Sequence, residues 1–145
     1  MKPDPRPLEA ELVFPSSPEY LSLVRSNVQW ITERCKFPEK EASRIVLAVV
    51  EAVTNIIRHA YHGDNERKIT MRLTEIPCGL QLEFLDRGEP VPPQKIKGRS
   101  LDEVKPGGLG VHMLASCMDD VRYEERPGGG TRLVLKKFRV GEEEQ

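Results

Sequence analysis

The chain has 145 residues, of which 38% are hydrophobic and 31% charged, with a formal net charge of −1. That length supports one domain around one core, and the near-neutral charge gives no overall attraction to nucleic acid or an anionic membrane. No apolar run approaches the roughly 20 residues that cross a bilayer, and the opening Met-Lys-Pro-Asp-Pro-Arg-Pro lacks the apolar stretch of a signal peptide.

The first seven residues, with three prolines, read as a flexible N-terminus. Leu12 and Phe14 alternate with polar neighbours, as in a short strand. Ser16 followed by Glu19, with Pro18 between them, has the pattern of a capping box at a helix start. Leu21, Val24, Val28, Ile31 and Cys35 keep helical period to about Arg34. Exposed Arg25, Gln29 and Arg34 flank that stripe, whose expected use is core burial. Pro38 opens a second helix, expected from about Glu39 to His62 and closed by Gly63.

Beyond Gly63 the period changes to two. Ile69, Met71 and Leu73, a Pro77-Cys78-Gly79 turn, and then Leu80, Leu82 and Phe84 predict an antiparallel hairpin with one buried face. Residues of about 90–106 are rich in proline and charge and lack periodicity, which suits a functional lid or an insertion. A short helix is expected from about Gly108 to Met118. Val121 and Tyr123, the Pro127-Gly128-Gly129-Gly130 turn, and Leu133 with Leu135 predict a second hairpin. Residues 8–140 thus form one domain, and 141–145 an acidic tail. Helices combined with antiparallel hairpins give an α+β two-layer sandwich, helices on one face and sheet on the other. Cys35, Cys78 and Cys117 lack metal-ligand spacing and read as free thiols in a reducing cytoplasm.

Three elements carry chemistry. On the second helix, Glu51 and Asn55 stand four apart, within about 40° of each other, with Arg58 near −20° and His59 near +80° from Glu51. Ile45, Val46, Val49, Val53, Ile56 and Ala60 occupy the far side. A solvated helix face would look the same in isolation. Asn55 offers a neutral amide oxygen suited to Mg²⁺, Glu51 could serve as a base one turn away, and Arg58 offers positive charge. Next, Asp86-Arg87-Gly88 ends a strand; it is either an ordinary Asp-x-Gly turn or a buried carboxylate accepting from the exocyclic amine of adenine, where guanine would present a carbonyl. Last, Gly107-Gly108-Leu109-Gly110 enters an apolar helix, where backbone N–H groups can approach an anion. It is not a Walker loop, since no Gly-Lys-Ser/Thr follows. Lys95, Lys97 and Arg99 in the lid could also meet phosphates.

In this order, E-A-V-T-N-I-I-R-H-A-Y, D-R-G-E-P, G-G-L-G-V-H-M-L and the late G-G-G-T resemble the GHKL superfamily of gyrase-type ATPases and histidine kinases, and within it the anti-sigma-factor serine kinases. The resemblance spans about Leu12 to Phe138. It implies the Bergerat ATP-binding sandwich, with a mixed, largely antiparallel sheet. It makes Glu51 the general base and Asn55 the Mg²⁺ ligand. Asp86 becomes the adenine reader, and Gly88, Gly108 and Gly110 nucleotide contacts together with Gly107 and Leu109. Thr131 would lie near adenine, and Arg58 where related kinases place a phosphate-binding lysine. His59 matches the family's usual histidine, and His112 stands where an apolar residue is more common.

A sensor histidine kinase would need a dimerisation helix pair with its own phosphoacceptor, whereas His59, His62 and His112 all fall within the ATP-binding region. A gyrase-like ATPase would need a transducer domain. The resemblance instead implies a cytoplasmic, homodimeric serine/threonine kinase using ATP and Mg²⁺. It would phosphorylate a STAS-domain anti-anti-sigma protein and sequester an RNA-polymerase sigma factor, with no direct nucleic-acid or membrane contact. The alternative is a nucleotide-gated binding module without kinase activity. The lid is expected to become ordered only when a γ-phosphate is present.

Overall fold

The computed structural model describes residues 6–89 and 109–140. Five strands, β1 (Glu9–Pro15), β2 (Lys68–Ile76), β3 (Gly79–Leu85), β4 (Asp120–Glu125) and β5 (Thr131–Phe138), form one sheet in the order β1-β2-β3-β5-β4. Every pairing is antiparallel. The helices are α1 (Leu21–Arg34), α2 (Glu39–Asn55) and α3 (Leu109–Cys117), and α2 packs between α1 and α3. The expected two-layer α+β sandwich is the observed one. The lid, the first five residues and the acidic tail lie outside the described residues.

Strand alternation decides which face the helices cover. Phe14, Ile69, Met71, Leu73, Leu80, Leu82, Phe84, Leu133 and Leu135 are buried in one cluster with Val24, Val28 and Ile31 of α1 and Ile45, Val49 and Val53 of α2. Each such side chain contributes about 1.5–3 kcal/mol by leaving water. Period two puts polar residues on the opposite face, where Glu11 pairs with Arg72, and Arg132 bridges Glu83 to Glu124. The α1 stripe is buried as expected, leaving Arg25, Gln29 and Arg34 exposed.

Two expectations need correcting. Ser16 caps no helix. Its backbone N–H donates to Arg67 O, its hydroxyl donates to Asp64 O, and that hydroxyl accepts from Arg67 N–H. The buried serine therefore extends the β1–β2 ladder, while a short 3₁₀ turn, Pro18–Tyr20, leads into α1. Likewise α2 does not stay α-helical to His62. After Asn55 it widens into a π turn, Ile56–Ala60, where Tyr61 N–H donates to Ile56 O and Gly63 N–H to Ile57 O. Ile56, Ile57, Ala60 and Tyr61 are all buried at this end of the helix. Projection at 100° per residue fails past Asn55, so the angles read for Arg58 and His59 do not hold.

The widened end leaves the Ala60 carbonyl free to accept from Glu89 N–H at 2.9 Å. Gly88 sits so close that a Cβ there would lie 2.3 Å from Ala60 O. Backbone atoms cannot rotate aside, so Gly88→Ala should cost at the upper end of the about 1–3 kcal/mol typical of overpacking. Thermal denaturation would show this as a lowered Tm; an unchanged Tm would contradict the close approach.

Candidate functional site

The site is built where α2 meets the segment that follows β3. Asp86 is only 3% exposed, in a loop that its own carboxylate shapes by accepting from Gly88 N–H at 2.9 Å. Its backbone N–H donates to Thr131 O at 3.1 Å, and Arg126 donates to its carbonyl at 2.9 Å. No described side chain donates to its carboxylate, which leaves acceptor capacity for a ligand amine. Burial pushes the Asp86 carboxyl above the ordinary carboxylate value, against the lowering effect of the Gly88 and Thr131 N–H groups and the Arg126 and Arg67 charges.

Tyr61, read in sequence only as the end of a motif, fastens this loop to the helix. Its hydroxyl donates to Lys68 O and accepts from Arg87 N–H at 2.8 Å. The Arg67 guanidinium lies 4.7 Å from the Tyr61 ring centroid and donates to Arg87 O at 2.9 Å. From the other side Arg87 donates to Pro127 O and Gly129 O, each at 2.7 Å. Gly130, at φ +100°, brings its turn so close that a Cβ would lie 2.1 Å from Asp86 O. Arginines 67, 87 and 126 were missed in sequence because nothing in their spacing says which carbonyls they meet. The Arg in Asp-Arg-Gly and the late glycine run were the available signals.

Asp86, Gly88 and Thr131 are therefore brought together. Gly88 answers first to the helix end, since Ala60 is what a side chain there would strike. Glu51 and Asn55 lie half-buried on α2, and neither side chain bonds to a described residue. Arg58 and His59 are exposed. Leu109 and Gly110 open α3, whereas Lys95, Lys97, Arg99, Gly107 and Gly108 lie outside the described residues. The described residues hold no cluster of three or more His, Cys, Asp or Glu fit for a metal. A half-buried amide without a partner suits Mg²⁺, which accepts one or two protein oxygens when phosphates and water supply the rest.

A helix layer on an antiparallel sheet, with the second helix docked on a buried Asp-x-Gly loop, is the layout of a histidine kinase-like ATPase fold. The chain belongs to the histidine kinase-like ATPase domain family, which matches it over residues 14–137. It is similar to the serine-protein kinase RsbW of Listeria monocytogenes serotype 4a, 29% identical over 138 residues, 88% of this chain and 85% of that one. RsbW of Bacillus subtilis strain 168 is 26% identical over 144 residues, 91% and 86% of the two chains. Among solved structures, the SiaB-SiaC complex from Pseudomonas aeruginosa shares the fold at TM-score 0.69 and 14% identity, over 90% of this chain and 89% of that one. The RsbU and RsbW domains of Rv1364c from Mycobacterium tuberculosis match at TM-score 0.63 and 16% identity, over 90% of this chain and 32% of that one. No helix among the described residues is long and apolar enough to cross a membrane.

A carboxyl group whose folded-state value lies above its unfolded one costs stability when ionised, a cost that grows as pH rises through the interval between them. Asp86→Asn removes that cost and keeps an acceptor for Gly88 N–H. The variant should melt at or above the wild-type temperature at pH 7, with the difference shrinking toward pH 4. If the carboxylate holds an adenine amine, losing that charge-assisted hydrogen bond, about 1.5–3 kcal/mol, should meanwhile weaken ADP binding roughly 10- to 150-fold. A variant that melts lower yet binds ADP like the wild type would contradict this placement.

Proposed function

We propose that this protein is a cytoplasmic serine/threonine kinase that binds Mg²⁺·ATP and phosphorylates a STAS-domain anti-anti-sigma protein, while sequestering a sigma factor as a homodimer. The single observation that carries it is the run of α2. Its widened end is bonded to the Asp86–Glu89 loop at Ala60, and Asn55 and Glu51 follow toward the other end, unpartnered among the described residues. From Ala60 to Glu51 is on the order of 13 Å along the axis. A nucleotide can lie along that line, its base at Asp86 and Thr131 and its terminal phosphate at Glu51.

Each residue then has a task. Asp86 accepts from the adenine amine, and the loop shaped by Gly88 and Thr131 holds the ring. Asn55 would hold Mg²⁺, which when bound supplies charge neutralisation for the phosphates. Glu51 takes the proton from the partner's serine or threonine hydroxyl. That oxygen forms a bond to the γ-phosphorus as the bond to the β–γ bridging oxygen breaks, and ADP leaves. Arg58, the lid residues Lys97 and Arg99, and Gly107 to Gly110 are the remaining phosphate-side candidates. The rate gain rests on position and charge, because phosphoryl transfer asks little covalent chemistry of the protein.

The relatives named as serine-protein kinases support the enzyme over a nucleotide-gated binding module, as does the intact Glu51. Sigma binding should be tighter with ATP than with ADP, because only the γ-phosphate distinguishes the two and a ligand shifts an equilibrium only through differential affinity.

Glu51→Gln separates the two readings. It should bind ATP as the wild type does and lose about 10²–10⁴-fold in transfer to the STAS partner, the usual contribution of a general base. Wild-type protein that forms a stable complex with the partner yet leaves it unlabelled by γ-labelled ATP would establish the binding module instead.

A further inference from the structure

The α2 ridge continues past Glu51, away from the Asp86 loop and along the line proposed for the nucleotide. Leu47, Arg44 and Lys40 lie about 6, 10 and 16 Å beyond Glu51 along the helix, all within about 40° of its line. These three are exposed, Leu47 by 53%. Their neighbours Ile45, Ala48 and Val49 fill the core, so the ridge is the side of α2 turned from the sheet. An apolar side chain left in water on the best-packed helix of the domain is unremarkable alone. Here it stands one turn from the proposed base, between that base and two cations. Arg44 and Lys40 form no ion pair with any described residue.

We infer that Lys40, Arg44 and Leu47 form the docking track for the phosphoacceptor protein, taking an acidic surface that carries one apolar side chain. The inference rests on the kinase reading above and extends it to the partner's contact surface. Any protein that brings a hydroxyl within about 3–3.5 Å of the γ-phosphate must approach from the end of the nucleotide opposite the base, and on the proposed line that end lies at Glu51, one turn from exposed Leu47. Two cations with no ion pair among the described residues select an acidic partner and speed its encounter, while Leu47 supplies a desolvated contact at the centre of the track. Glu51 is thereby positioned at the rim of the interface rather than in open solvent.

Steady-state transfer from γ-labelled ATP to purified STAS-domain proteins of the same genome tests this, with ADP affinity measured in parallel. Leu47→Asp, and separately the pair Lys40→Glu with Arg44→Glu, should raise the acceptor KM by about tenfold or more. Both should leave kcat at saturating acceptor and ADP affinity at wild-type values. Raising ionic strength should increase the wild-type KM and affect the charge-reversed pair much less. Wild-type transfer with variants of unchanged KM would overturn the docking track and leave the kinase standing. Absence of wild-type transfer to every STAS protein, with ADP still bound, would overturn the kinase reading and the track with it.

Discussion

Two close approaches of backbone to backbone fix the geometry of this domain: Gly88 against the Ala60 carbonyl, and Gly130 against the Asp86 carbonyl. Between them the Asp86–Glu89 loop is clamped from both sides, by the end of α2 and by the turn joining β4 to β5. Two hydrogen bonds from Arg67 and Arg126 to carbonyls of this loop, two from Arg87 to carbonyls of the β4–β5 turn, and one from the Arg87 N–H to the Tyr61 hydroxyl complete the clamp. A buried carboxylate is costly, and a loop this fully bonded can hold one where an unsupported turn would move it into water. The rest of the site inherits its position from this junction, since Asn55 and Glu51 belong to the same helix that the loop grips.

One helix therefore serves three tasks. Its inner face, Ile45, Ala48, Val49, Ala52 and Val53, closes the core. Its widened end receives the loop. Its outer ridge carries Glu51, then Leu47 one turn further, and Arg44 and Lys40 beyond it. The π turn reconciles these demands. A regular α-helix would have closed the Ala60 end differently, without the bonds from Tyr61 N–H to Ile56 O and from Gly63 N–H to Ile57 O that are observed. Such single widened turns occur often at functional sites because they aim one part of a helix without disturbing the rest.

Much of the fold was legible from periodicity. The change from a 3.6-residue to a two-residue repeat after Gly63 marks where helix gives way to sheet, and Met71, Leu82 and Leu135 point inward as alternation requires. Local rules failed where tertiary bonding outbid them. Ser16 has the side chain and the spacing of a cap, yet its hydroxyl is taken by two backbone partners, donating to Asp64 O and accepting from Arg67 N–H. Nothing in the pattern Ile56-Ile57-Arg58 announces a π turn, and the loop that bonds to its end at Ala60 arrives only at Glu89. The same is true of the candidate site. Asp86 and Asn55 stand out as residue types in an ordered motif set, whereas the clamp of Tyr61, Arg67, Arg87 and Arg126 arises only from three-dimensional proximity. For Gly88 the motif singles out the residue as a nucleotide contact, and the structure shows a different constraint there, the close approach to the helix end.

On the proposed reading, the clamped Asp86 reads adenine at one end of a line that Asn55 and Glu51 continue. Isothermal titration of the intact protein with ATP and with GTP, each with and without Mg²⁺, addresses it most directly. ATP should bind with an affinity that rises on adding Mg²⁺. GTP, presenting a carbonyl to the Asp86 carboxylate, should bind at least about tenfold more weakly. Equal affinity for the two nucleotides, or no affinity for ATP, would contradict it.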